Sequence, residues 1–217
     1  MSAMMVMPAN NSSCLVGWLA GTYPGRLGHL YSPGGFRGPY EFLPYALDNG
    51  RYIATTQGTG WDEATFLGMV ERAMASGHEP GWILVPDAVA DRDETLREWD
   101  RWAHRLAAYG RPLAFAAQDG MTFEDVPREA AVVFLGGSTE WKRRGIWPWC
   151  QAFPRVHVGR INTDTWLWEC HAAGAESCDG TGWMRGDKRQ LAGLMTYLRR
   201  SADGKGPPQG HLRDLMP

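Results

Sequence analysis

The 217 residues hold no CxxC pair: the four cysteines, Cys14, Cys150, Cys170 and Cys178, lie far apart or at no ligand spacing. That excludes a zinc ribbon and a disulfide framework. The six histidines show no ligand spacing either, so neither a metal nor a cofactor is expected. Long apolar runs are missing, and no basic stretch opens the N-terminus; no membrane span and no signal peptide are expected, and a reducing cytoplasmic setting is. An excess of one charge is missing too. Lys plus Arg number 22 against 24 for Asp plus Glu, a formal net charge of -2, which excludes a global pull toward nucleic acid or anionic lipid and leaves only local basic patches. No GxGxxG follows the first apolar run and no GxxxxGK[ST] occurs, so the usual phosphate loops of nucleotide-binding folds are absent. There is no internal repeat.

What is present is a globular composition, 44% hydrophobic and 21% charged, in a chain of single-domain size. Eleven Trp accompany 27 Gly and 14 Pro, a mixture that implies tight loops carrying large flat side chains. Those rings serve packing first and stacking on bases or sugars second.

Short apolar runs recur at residues 15–20, 45–47, 82–85, 113–117, 131–135, 156–158 and, more weakly, 175–178. Their length and β-branched content predict buried strands. Between them lie helical patterns. Residues 62–76 space Phe66, Leu67, Met69, Val70 and Ala73 along one face, and residues 93–109 do the same with Leu96, Trp99, Trp102, Ala103 and Leu106 before Gly110. Residues 163–173 and 187–200 are further candidates. Strands alternating with helices imply parallel pairing. Seven candidates, with an eighth expected near a terminus, predict a small (β/α)8 TIM-like barrel over residues 1–200 as a single domain; a doubly wound sheet is the alternative. Residues 201–217, with SADGKGPPQG, read as a flexible C-terminal tail.

In a parallel barrel the loops after the strands converge on one mouth. The predicted strand ends are polar in series: Asp48-Asn49-Gly50, Pro86-Asp87, Gln118-Asp119-Gly120, Gly136-Gly137-Ser138, Gly159-Arg160 and Asp179-Gly180-Thr181-Gly182. One Asp-Gly pair is an ordinary turn former. Six in a row deliver four carboxylates, two amides and two glycine-rich turns to one face, and an acid closing an apolar run is costly to bury without a partner or ligand.

The order ALDNG, VPD, AFAAQDG, VVFLGGSTEWK, RVHVGR, CDGTGWMRGD resembles that of the tRNA-guanine transglycosylases. It is more similar still to their relatives, the deazapurine DNA modification transglycosylases of bacteria and phages. The resemblance spans about residues 43–186. It implies a pentosyltransferase that exchanges guanine in nucleic acid for a 7-deazaguanine derivative, in a bacterial or phage-infected cell. Asp179 falls where the family keeps its nucleophile for the sugar C1′, and Asp48 where it keeps the acid and base that serves the departing and arriving purines. Asp87, Gln118, Gly136 and Gly137 fall on positions that line the base pocket. A carboxylate nucleophile with a second carboxylate handling the proton is the logic of retaining glycosyl transfer. The chain departs from the tRNA enzymes in lacking their CxCxxC and His zinc site, which favours DNA over tRNA as partner; Arg51, where they have a second Gly, and Ser138 leave the identity of the incoming base open.

Beyond the strand ends, Lys142, Arg143 and Arg144 beside Trp141, Trp147 and Trp149 form a candidate phosphate and stacking surface; Trp183 and Arg185 are candidates for the flanking nucleotide. His157, inside a strand, reads as a core histidine, and residues 55–60, TTQGTG, as a flexible loop. The same two aspartates with water as acceptor would make a base-excising N-glycosidase or nucleoside hydrolase, and a non-catalytic nucleic-acid-binding barrel is the reading from outside enzymes.

Overall fold

The computed structural model describes residues 4–185 and 188–208. Eight parallel strands run β1 (Met5–Pro8), β2 (His29–Tyr31), β3 (Tyr45–Leu47), β4 (Ile83–Leu84), β5 (Leu113–Ala117), β6 (Val132–Leu135), β7 (Val156–Val158) and β8 (Ser177–Gly180). They neighbour one another in chain order, with β8 against β1. The seam between β1 and β2 is held by two single bridges, Val6 to Leu27 and Ala9 to Leu30, so the sheet is a nearly closed barrel. A strand order without reversal excludes the doubly wound alternative.

Seven helices surround it among the described residues: α1 (Cys14–Thr22), α2 (Arg51–Gln57), α3 (Glu63–Ala75), α4 (Arg92–Ala107), α5 (Thr139–Ala152), α6 (Asp164–Ala173) and α7 (Lys188–Ala202). The β2 to β3 and β5 to β6 connections carry only a 3-10 turn each. Four of the helices begin where a side chain serves their free N–H groups: Asp62 accepts from Ala64 and Thr65, Asp91 from Glu94, Ser138 from Trp141 and Thr163 from Trp166. Helix α3 buries the five residues predicted for it; of the five predicted on α4, Trp99, Trp102 and Leu106 are buried and Leu96 and Ala103 are partly buried against the core.

Several expectations are corrected. Residues 15–20 are helix α1, not a strand. Six apolar residues carry too little period to tell a short buried helix from a buried strand, and Ser13 occupies its N-cap. The true first strands, MVMP and HLY, lack the Val and Ile runs that mark strands. Residues 55–57 belong to α2 rather than to a loop. Helix α7 continues through Ser201 and Ala202, past the predicted tail boundary, and Arg200 binds the carbonyls of Gly206 and Pro207; residues 209–217 of that tail lie outside the described residues. Among the described residues no helix is long and apolar enough to cross a membrane.

The two faces of the barrel sheet bury different things. The outer face and the helices share one large core that includes Val6, Leu47, Ile83, Phe115, Leu135, Val158 and Cys178. The inner face holds a smaller cluster of Met7, Leu30, Ala46, Trp82, Leu84, Ala114, Ala116 and Val132. Small alanines on β3 and β5 leave room for Trp82, whose ring meets Phe134 and His157. Strand side chains alternate with period two, so each inward series continues upward: Leu30 to Ser32, Ala46 to Asp48, Ala116 to Gln118, Phe134 to Gly136, Ser177 to Asp179. The apolar filling of the barrel therefore gives way to polar groups at its C-terminal end.

Candidate active site

A cavity of about 400 Å³ opens at that end, within the range of sites that enclose a small ligand. Asp48, Asp87, Gln118, Gly136, Gly137, Asp179 and Arg185 all line it, so residues separated by more than a hundred positions meet in one place.

Its floor is a chain of amide and carboxylate contacts. Asp87 accepts from Asn49 Nδ2 at 2.7 Å through Oδ1 and from Gln118 Nε2 at 2.6 Å through Oδ2. Gln118 Oε1 accepts the backbone N–H groups of Gly137 and Ala90. Burial pushes the Asp87 carboxyl above its ordinary range, against the pull of Asn49. Both glycines are required here. A Cβ on Gly136 would stand 2.9 Å from Gln118 Nε2, and Gly137 has φ +60° with Asp119 and Trp141 crowding its Cβ position. Asn49 in turn is held from behind, since Arg51 N donates to its Oδ1 and Trp61 Nε1 to its carbonyl. The Arg51 side chain turns away from the cavity, over the Trp61 ring at 4.1 Å and onto Glu98 at 2.6 Å.

Asp48 and Asp179 have unlike surroundings. Asp48 receives the Ser32 hydroxyl at 2.7 Å. Burial raises its pKa to about 6, with the charges of Asp179 and Asp87 adding to the rise and the Ser32 hydrogen bond opposing it. Asp179 Oδ1 instead meets two nitrogen donors at 3.1 Å each, His157 Nε2 and the backbone N–H of Arg160. Arg160 has φ +61°, a conformation a non-glycine residue adopts at a cost and that is found where geometry is held for use. Its guanidinium donates to the Gly137 carbonyl and lies 4.3 Å over the Tyr52 ring, which ties α2 to the glycine turn across the cavity wall.

The basic surface predicted on α5 is divided by the structure. Lys142 is 1% exposed; its Nζ donates to the Gly159 carbonyl, and burial, with the Arg160 charge, lowers its pKa to about 8. It props the turn that presents Arg160 and is not available to a phosphate. Arg143 and Arg144, on the other face of the helix, are exposed. Trp183 is likewise 1% exposed and packs in the core, so it is not a surface for a nucleotide, whereas its neighbour Arg185 is exposed on the cavity lining. A run of basic residues cannot distinguish the inward from the outward face until the helix is placed; Lys142 stands four before Ile146 and seven before Trp149, both buried. Ten of the eleven tryptophans are buried or pack partly against the core; Trp18, at 53%, is the exposed one.

Sequence reasoning missed Ser32, Asn49, Tyr52, Arg160 and Asn162 as lining residues and gave His157 a purely structural place. The signal for Ser32 was the inward period of β2, which was not recognised as a strand; Asn49 and Arg160 were visible as neighbours in the polar strand ends. Among the described residues no group of three or more His, Cys, Asp or Glu side chains is arranged to hold a metal ion. No protein-family model and no curated protein matches the chain.

Proposed function

We propose that this chain is a guanine transglycosylase acting on nucleic acid, DNA rather than tRNA, and that it installs a 7-deazaguanine-type base. The observation that carries the reading is the pairing of two differently held carboxylates, Asp48 and Asp179, on one small cavity. Two acids at one site with separate environments are the means by which one holds a proton while the other acts as an anion.

In this scheme Asp179 attacks C1′ as the bond from C1′ to the guanine nitrogen breaks, giving a sugar ester on the protein. Asp48, whose pKa of about 6 keeps a proton accessible near neutrality, delivers that proton to the departing purine. The arriving deazapurine then surrenders its ring N–H proton to Asp48, forms the new bond to C1′, and releases the Asp179 carboxylate. Asp87, Gln118 and the Gly136 and Gly137 backbone form the surface against which the base lies. Arg185 at the mouth, with Arg143 and Arg144 on α5, provides cations for phosphates. A base paired in duplex must leave its stack to enter a cavity of this size, so flipped or single-stranded DNA is the expected substrate form.

The test is incubation with DNA or tRNA and labelled guanine, with and without 7-cyano-7-deazaguanine, followed by mass spectrometry of released and incorporated base. Exchange into DNA supports the proposal. Guanine release without incorporation would instead identify an N-glycosidase using the same two acids, and neither release nor incorporation a binding barrel.

A further inference from the structure

We propose that His157 is a positioning residue for Asp179: its Nε2–H ties down Oδ1 and leaves Oδ2 to face the cavity, while the Ser177 hydroxyl, donating to Nδ1, keeps the ring proton on Nε2. The proposal rests on reading Asp179 as the reacting carboxylate.

His157 is 0% exposed and lies on the inner face of β7. It stacks on Phe134, with ring centroids 4.8 Å apart and planes at 24°, and Trp82 closes on it from another side at 5.0 Å and 63°. Two aromatic walls prevent the imidazole from swivelling. Register does the rest: His157 pairs with Ser177 across β7 and β8, and Ser177 and Asp179, two apart on one strand, both face inward. The ring nitrogens reach Ser177 Oγ at 2.8 Å and Asp179 Oδ1 at 3.1 Å.

An ionised carboxylate only accepts hydrogen bonds, so Nε2 is the donor in that contact, whereas a hydroxyl can donate to a bare Nδ1. The partner of one ring nitrogen thus sets which proton the other presents. The Arg160 backbone N–H lands on Oδ1 as well, and among the described residues Oδ2 has no hydrogen-bond partner. One oxygen of Asp179 is fixed twice and the other is open. A histidine that only filled the barrel would need its nitrogens satisfied by any groups; here one partner is a carboxylate on the cavity wall.

Two readouts test this on the full chain. The first needs no substrate: nitrogen NMR of the ¹⁵N-histidine protein is expected to place the His157 ring proton on Nε2, with Ser177→Ala weakening that preference. A proton on Nδ1 with Nε2 bare overturns the proposal. The second is steady-state base exchange, in which His157→Leu is expected to lower kcat roughly tenfold or more with KM within about twofold. His157→Gln, whose amide nitrogen can take the place of Nε2, is expected to recover most of the loss. Unchanged kcat in His157→Leu, or a Gln variant no better than Leu, overturns it. If His157→Leu does not fold, Ser177→Ala carries the kinetic arm with a smaller loss in kcat. An Nε2–H signal in a wild-type protein that exchanges no base would sink the transglycosylase reading and leave the hydrogen-bond chain standing.

Discussion

Asp48 at the end of β3 and Asp179 on β8 share a cavity, yet the two sides of the barrel surround their carboxylates with different groups. On the Asp48 side burial, with the charges of Asp179 and Asp87, outweighs the hydrogen bonds from the Ser32 hydroxyl and the Gly50 backbone, and the result is an acid that holds its proton to about pH 6. On the Asp179 side an imidazole nitrogen and a strained backbone N–H both point at one oxygen, with the buried Lys142 supporting the turn behind them. The chemistry of an aspartate in this barrel is set by what the neighbouring strand brings beside it: Ser32, level with Asp48 just past the Tyr31 to Leu47 pair, and His157, level with Ser177 and two residues below Asp179. Identity at the rim is common to both; the inward series Leu30 to Ser32 and His157 with Ser177 are not.

Replacing each acid in turn breaks the comparison most sharply. Asp179→Asn is expected to lower exchange by at least about three orders of magnitude with an unchanged thermal midpoint, as read by base release and calorimetry. Retention of more than a few per cent of activity would place the nucleophile elsewhere.

Asp48→Asn is expected to lower exchange by about 10²–10⁴-fold and, unlike the first variant, to stabilise the fold. In the folded chain the carboxyl is raised from 3.8 to about 6. Its contribution to stability is therefore fully present below about pH 3.8 and lost as the pH climbs to about 6, beyond which the buried charge costs on the order of 3 kcal/mol. The amide carries no such cost. A gain of several degrees in thermal midpoint at pH 7.5 is expected, fading toward pH 4; a gain equal at both pH values would show that the charge is not its source.

The smallest effect belongs to the cations. Alanine at Arg143, Arg144 and Arg185 together is expected to weaken binding to all DNA sequences alike and to flatten the salt dependence by up to about three phosphate contacts, with little change in stability. Lys142→Ala should do the reverse, since it removes a buried side chain and leaves the Gly159 carbonyl without its donor. The contrast is read from salt titrations of binding and from melting curves of the two variants.

How much of this was legible beforehand follows from where the information resides. The barrel could be read because α3 and α4 carry complete apolar stripes, β5 and β6 are uninterrupted apolar runs, and β7 is a β-branched pair about a single histidine. Strands β1 and β2 could not, because Met, Pro and His do not advertise a strand and the closing seam is made of two single bridges. The polar strand ends gave away Asp48, Asp87, Gln118 and Asp179, since an acid at the top of a buried run has to be accounted for. The burial of Lys142 and Trp183 was not readable: each depends on which way a helix or turn faces after the barrel has formed. His157 was read as core, and it is core; its hydrogen bond to Asp179 arises from strand register, which the local pattern of β7 does not contain.

The account stands most directly on the ester that Asp179 is to form. A guanine-containing oligonucleotide incubated with the protein in the absence of any acceptor base, quenched in denaturant and analysed by intact mass and peptide mapping, tests it. The expected result is a covalent adduct equal to the oligonucleotide less guanine, mapped to Asp179, absent in Asp179→Asn and dispersed by added 7-deazaguanine base. Guanine released with no adduct, or an adduct mapped to Asp48, would contradict the assignment of the two carboxylates.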